Sequence, residues 1–160
     1  MTDVELDPLI LAFYRDRYRE DERLTASGHG RLEFLRTREL LGRHLPPPPA
    51  RVLDVGGGTG VHARWLAAEG YRVHVADPVP SHVEQAARHP GVSASLGDAR
   101  ALDASDDSVD ATLLLGPLYH LTDAGDRARA RREAVRVTRP GGIVAAGRTP
   151  GHTRILAAAG

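Results

Sequence analysis

The sequence predicts an α/β fold, a doubly wound parallel sheet with helices on both faces. Three observations carry that expectation. Strand-like runs alternate with helical segments from about residue 51 to 147. The runs are mostly apolar throughout rather than alternating, as strands buried on both faces are. A glycine-rich turn, "GGGTG" at 56–60, joins the first run to the helix that follows it.

The elements can be taken in chain order. Residues 4–19 and 30–45 have helical character. In "GRLEFLRTRELLGRHL" the residues Leu32, Leu35, Leu40 and Leu41 are expected on one apolar face. "PPPP" at 46–49 stops that helix and serves as a stiff linker. "RVLDV" (51–55) reads as a buried strand and "VHARWLAAEG" (61–70) as a helix closed by Gly70. "YRVHVAD" (71–77) is a second strand. "SHVEQAARHPG" (81–91) is a short helix with Ser81 as its expected N-cap. "VSASL" is a weak third strand and "SVDATLLLG" (108–116) a strong fourth. "DAGDRARARREAVRVTRPGG" (123–142) is expected to be helical up to its Pro-Gly-Gly stop, with Ala128, Ala134 and Val135 as its packing face. "IVAAG" (143–147) is a fifth strand.

Composition narrows the functional classes. The chain has 160 residues, enough for one domain with one sizeable core. With 21 basic and 21 acidic residues its formal net charge is zero, which argues against nucleic acid as the main partner. The arginine-rich helix is read as a solvated face for the same reason. No apolar run reaches the length of a membrane span, and "MTDVELDPLI" is acidic rather than signal-like, so a cytoplasmic location is expected. The chain has no cysteine and no lysine, which removes thiolate and Schiff-base chemistry. The histidines show no metal-ligand spacing, and no metal is expected.

The residues that carry chemistry lie at the ends of the strands. In open α/β sheets ligands bind beyond the carboxyl ends. Asp54 precedes Gly56, Gly58 and Gly60, and a carboxylate at the end of a buried strand needs a partner. Asp77 ends the second strand, 19 residues after Gly58, where a carboxylate can accept hydrogen bonds from the vicinal hydroxyls of a ribose. Asp98, in "GDAR" after the third strand, suits an adenine amino group, with the Ala99 N–H facing a ring nitrogen. In "GPLYHL" (116–121), His120 has the right ordinary pKa, about 6.5, for a general base, with Tyr119 beside it; both could equally be pocket wall. Tyr14, Tyr18, Arg23 and Arg31 are candidates for a lid, with helix packing as the plainer role.

"VLDVGGGTG", "VHVADPVPSHVEQA", "GDARAL", "SVDATLLLGPLYHL" and "VRVTRPGG" together resemble the successive motifs of class I S-adenosylmethionine-dependent methyltransferases, nearest to the bacterial small-molecule branch with a type-11 methyltransferase domain. The resemblance runs from residue 4 to about 145, and its specificity lies in the order and spacing of the motifs. It implies a Rossmann-like sheet of strand order 3-2-1-4-5. It implies that the Gly56–Gly60 turn holds the methionine part of S-adenosyl-L-methionine, with Asp54 near the amino group. Asp77 and Pro78 would flank the ribose, Asp98, Ala99 and Leu102 the adenine, and Gly116 the sulfonium. His120 and Tyr119 would be the catalytic candidates, acting on a small-molecule oxygen, nitrogen or carbon nucleophile.

Two rival readings remain open on the residues alone. "GTGVHA" (58–63) also fits a nicotinamide-binding turn, although Asp54 would repel a pyrophosphate there. The chain could also be a catalytically silent cofactor-binding module acting through a partner. The expected organisation is a helical lid and linker at 1–49, the cofactor-binding core at 50–147 and an irregular tail at 148–160. The last two strands of the family are expected to be missing. That would leave the fifth strand as an edge covered by the tail, a second copy in a homodimer, or a partner protein. Asp77→Ala is expected at this level to weaken cofactor binding without disturbing the fold.

Overall fold

The computed structural model describes residues 28–116, 120–147 and 152–157. Helix α1 spans Gly28–His44 and is followed by strand β1, Arg51–Val55. Helix α2 (Val61–Ala68), strand β2 (Arg72–Asp77), helix α3 (Pro80–Ala87) and strand β3 (Val92–Leu96) come next. Strand β4 (Val109–Leu114), helix α4 (Ala124–Val137), strand β5 (Thr138–Gly147) and strand β6 (Thr153–Ala157) complete the order. The strands form one sheet in the order β3-β2-β1-β4-β5-β6, parallel from β3 to β5. The expected order 3-2-1-4-5 is therefore present, with one further strand.

That further strand corrects the expectation for the tail. β6 pairs antiparallel with β5, from Ile143 opposite Ala157 to Gly147 opposite Thr153. The edge of β5 is covered by the chain's own continuation, so the argument for a second copy or partner at that edge loses its ground. Ile155 packs against the main core, and this contact helps to hold the strand.

Two apolar layers flank the sheet. On one face Val52, Val73, Val75, Ala111 and Leu113 meet Leu41, Ala63, Leu66 and Ala86 from the helices. On the other, Leu53, Val55, Leu114 and Val144 meet Ala130, Ala134 and Val137 of α4. The packing face of α4 is thus Ala130, Ala134 and Val137, at helical spacing. Ala134 is placed as expected, but Val135 is 40% exposed. α4 begins with Asp123, whose side chain accepts the Asp126 N–H, and ends at Val137 rather than in the Pro-Gly-Gly.

α1 also turns a different stripe inward. Leu32 and Leu35 are exposed, whereas Thr37 and Leu41 are buried. Phe34 stacks on the His62 ring at 5.1 Å, and the Arg38 guanidinium lies 5.0 Å from the Trp65 ring centre. α1 is therefore fixed to α2, immediately after the glycine turn. Arg31 is exposed on this helix. The expected helix at 4–19 and the lid candidates Tyr14, Tyr18 and Arg23 lie outside the described residues. Ser81 does not cap α3: Val79 occupies the N-cap, Pro80 begins the helix, and no side chain caps it.

Candidate active site at the strand tips

The parallel register brings the tips of β1, β2 and β3 side by side. Val55 lies beside Ala76 and Asp77 beside Leu96, so Asp54, Asp77 and Asp98 belong to one end of the sheet. The glycine turn closes over the first of them. Its backbone is left-handed at Gly56, Gly58 and Gly60. Asp54 is 1% exposed. A Cβ on Gly57 would lie 2.5 Å from Asp54 Oδ2, so the carboxylate packs directly beneath the turn.

Asp77 is buried and tied to the turn. Its Oδ2 accepts the Gly58 N–H at 2.9 Å, and its Oδ1 accepts the Val79 N–H at 2.9 Å. His82 Nδ1 lies 3.1 Å from the same Oδ1 and is the donor there. Pro78, between these contacts, is half-buried. Asp77 is thus an anchor of the turn as well as a ligand candidate. The expectation that Asp77→Ala would leave the fold untouched does not survive this geometry.

Asp98 is held by its neighbour Arg100. Its Oδ1 accepts the Arg100 N–H at 2.7 Å and Nε at 3.1 Å, and its Oδ2 accepts Nη2 at 2.8 Å. Arg100 also donates to Asp126 Oδ2 at 2.9 Å, joining the loop after β3 to the start of α4. Burial pushes the Asp98 pKa up, but the Arg100 hydrogen bonds and charge outweigh it and hold the carboxyl below its ordinary value. Ala99 packs against the second apolar layer, and Leu102 is buried within it. The Leu102 N–H goes to Glu133 Oε2 at 2.7 Å.

The fourth tip closes the floor. A Cβ on Gly116 would lie 3.3 Å from the Gly56 carbonyl oxygen, so the ends of β1 and β4 approach closely there. His120 is half-buried four residues further on; Tyr119 lies outside the described residues. Among the described residues, no three His, Asp or Glu side chains are grouped as metal ligands, and no helix is long and apolar enough to cross a membrane. The metal-spacing argument passed over His82 and His89. His89 Nε2 donates to the Thr59 carbonyl at 2.9 Å from the turn after α3, a contact that no spacing in the sequence signals.

Acid should destabilise the protein in two stages. Burial lowers the His74 pKa from its ordinary 6.5. Asp98 and Asp110 are held below about 3.8, and Glu133 below about 4.5. For Asp98, burial opposes this and the Arg100 contacts prevail; for Asp110 the Arg51 N–H leads, and for Glu133 the Arg136 hydrogen bond. All four folded-state values are depressed, so their stabilisation is complete above the unfolded pKa and is lost as pH falls through the folded one. The melting temperature should begin to fall below about pH 6.5 through His74, and more steeply below about pH 4.5 through the carboxylates. His74→Gln should flatten the first stage alone; an unchanged slope between pH 5 and 6.5 would assign it to another group.

Comparison with known proteins agrees with this arrangement. The family model described as "Methyltransferase domain" matches residues 52–142. An uncharacterized methyltransferase of Mycobacterium tuberculosis is 40% identical over 99 residues, covering 61% of this chain and 39% of that protein. A ubiquinone biosynthesis O-methyltransferase of Methylocella silvestris is 34% identical over 145 residues, covering 88% of this chain and 52% of that protein. The crystal structure of a SAM-dependent methyltransferase from Thermotoga maritima superposes with a TM-score of 0.69 at 25% identity, over 86% of this chain and 60% of that one. The chain spans about half, or less, of the length of these two sequence relatives. By its motifs, its sheet and the family match, the chain belongs to the methyltransferase domain family, the class I S-adenosylmethionine-dependent methyltransferases.

Proposed function

We propose that the chain binds S-adenosyl-L-methionine across the tips of β1, β2 and β3 and directs its methyl group to an oxygen, nitrogen or carbon nucleophile of a small molecule. The observation that carries this reading is the row of three acids at adjacent parallel strand tips, the first of them packed under a glycine turn. The donor set fits the cofactor, whose sulfonium, ammonium and hydroxyls favour carboxylates and carbonyls over the basic groups a pyrophosphate would need. The Thr59 hydroxyl, buried in the turn without a hydrogen-bond partner, is a further polar group at this site.

Each residue has a definable task. Asp54 sits beneath the turn, where it balances the ammonium. Asp77 already accepts three hydrogen bonds, leaving one of about four carboxylate acceptor positions for a ribose hydroxyl. Pro78 flanks that hydroxyl. Asp98 is in the same situation, with one acceptor position left for the adenine amino group, while the Ala99 N–H faces the ring and Leu102 supports the loop from the core. Gly116 keeps the β4 tip free of a side chain beside the sulfonium. His120 takes the proton of the nucleophile, with Tyr119 as the second catalytic candidate. The cofactor supplies an already activated methyl group, so the protein's work is alignment of the nucleophile and removal of water.

Calorimetric titration of the purified chain tests the reading. S-adenosylhomocysteine and S-adenosylmethionine should bind with micromolar affinity and NADH should give no binding heat. Binding of NADH without binding of either S-adenosyl ligand would overturn the assignment in favour of a nicotinamide site.

A further inference from the structure

α3 reaches the glycine turn at two points. His82 lies within α3 and His89 in the turn that follows it, and both rings reach back towards the glycine turn. His82 acts through Asp77, whose other oxygen holds the Gly58 N–H. His89, two residues past the end of α3, acts directly on the Thr59 carbonyl. A carbonyl only accepts, so Nε2 carries the hydrogen and the neutral ring is the Nε2–H tautomer.

The contact is close on the apolar side as well. A Cβ on Gly60 would lie 3.0 Å from His89 Cδ2 and 3.3 Å from Ala86 Cα. Gly60 is left-handed and its N–H closes the turn onto the Gly57 carbonyl at 3.1 Å. The Thr59 carbonyl and the Gly60 N–H belong to one peptide plane. His89 therefore sets the orientation of the plane that closes the turn.

We propose that His89 is a positioning residue for the cofactor: it pins the Thr59–Gly60 peptide and so presents the turn in its binding shape before the ligand arrives. The inference rests on the reading that this turn holds the S-adenosyl group. A run of glycines has more conformations to lose on binding than any other sequence. One outside hydrogen bond on the peptide that closes the turn reduces that loss, and the reduction appears as affinity.

Substitutions at His89 separate positioning from simple packing. The side-chain amide nitrogen of Gln reaches about as far as Nε2 of His, whereas that of Asn stops near Nδ1. By calorimetry, His89→Ala and His89→Asn should bind S-adenosylhomocysteine about five- to tenfold more weakly, the value of one hydrogen bond. His89→Gln should stay within about twofold of the parent. Equal affinity of His89→Ala and the parent, or equal weakness of His89→Gln and His89→Ala, overturns the proposal. If the parent itself binds no S-adenosyl ligand, the cofactor reading fails, and with it the role proposed for His89. Amide hydrogen exchange at residues 58–60 provides the second measurement. Exchange should quicken in His89→Ala and return to the parental rate in His89→Gln; identical exchange in all three overturns the pinning itself.

Discussion

Asp77→Ala should abolish measurable binding of S-adenosylhomocysteine and, at the same time, cost at least about 3 kcal/mol of stability, because three buried donors each lose their acceptor at about 1–3 kcal/mol apiece. The side chain is 5% exposed and accepts the N–H groups of Gly58 and Val79 and the ring of His82. Alanine leaves two backbone donors and an imidazole facing a void, and water has poor access to repair them. The Gly58 amide is then no longer fixed, so the turn loses its shape as well as the proposed ribose acceptor. A domain of this size has about 5–15 kcal/mol in hand, so the variant should fold at low temperature and melt early. Asp77→Asn discriminates between the two losses. It keeps one acceptor oxygen but places an NH2 against an N–H. It should recover part of the stability and little of the affinity. Calorimetric titration below the melting temperature, alongside thermal melts, checks both. Parental affinity in either variant would remove Asp77 from the cofactor site, and a parental melting temperature in Asp77→Ala would contradict its role as an anchor.

Gly142→Ala should destabilise the fold by about 1–3 kcal/mol, the range for forcing atoms into a packed site. The added Cβ would lie 2.6 Å from the Asp110 carbonyl oxygen, 2.6 Å from Thr138 Cγ2 and 2.9 Å from the Arg139 carbonyl oxygen. Two of these are backbone atoms of paired strands, so relief requires moving the sheet. The site is an irregular point in the ladder: Val109 pairs with Thr138, but Ala111, two residues on, pairs with Ile143, five residues on. The excess residues loop out, and Gly142 returns the chain to register against β4. Gly42→Ala is the matching control. Gly42 lies inside α1 with no atom within 4 Å of an added Cβ, so this change should stabilise by about 0.5–1 kcal/mol through helix propensity. Denaturant titration of both variants measures the contrast. Two similar small effects would show that the β4–β5 junction yields more readily than its geometry indicates.

Five strands of the sheet were legible because their signals are local, and their order followed from the family resemblance of the motifs. "RVLDV", "RVHVA" and "VDATLL" are runs that only a buried strand accommodates, and each is punctuated by glycine, proline or a helical repeat. β6 was not legible. "TRILA" has no β-branched apolar run like those of β1 and β2, and it becomes a strand because β5 offers an edge and the core accepts Ile155. The inward stripe of α1 was only partly legible: Leu41 was on the expected face and is buried. Leu32 and Leu35 fit an apolar period, but the neighbouring stripe through Phe34, Thr37 and Leu41 finds partners in His62 and the main core.

The sequence by itself determined the kind of site. Acids at Asp54, Asp77 and Asp98, each at or near a strand end, together with glycines at 56, 58 and 60, are the basis for proposing a ligand with positive and hydroxyl-bearing groups, because spacing along the chain decides what a parallel sheet presents at its carboxyl edge. The tertiary structure decided what those acids are committed to before any ligand binds. Asp77 is shared with Gly58, Val79 and His82, and Asp98 with Arg100, whose guanidinium also reaches Asp126. His89 acquires a task only because α3 comes to rest against Gly60. Hydrogen bonds between residues far apart in the chain depend on how the helices pack, and packing is set by the whole core rather than by any segment of it.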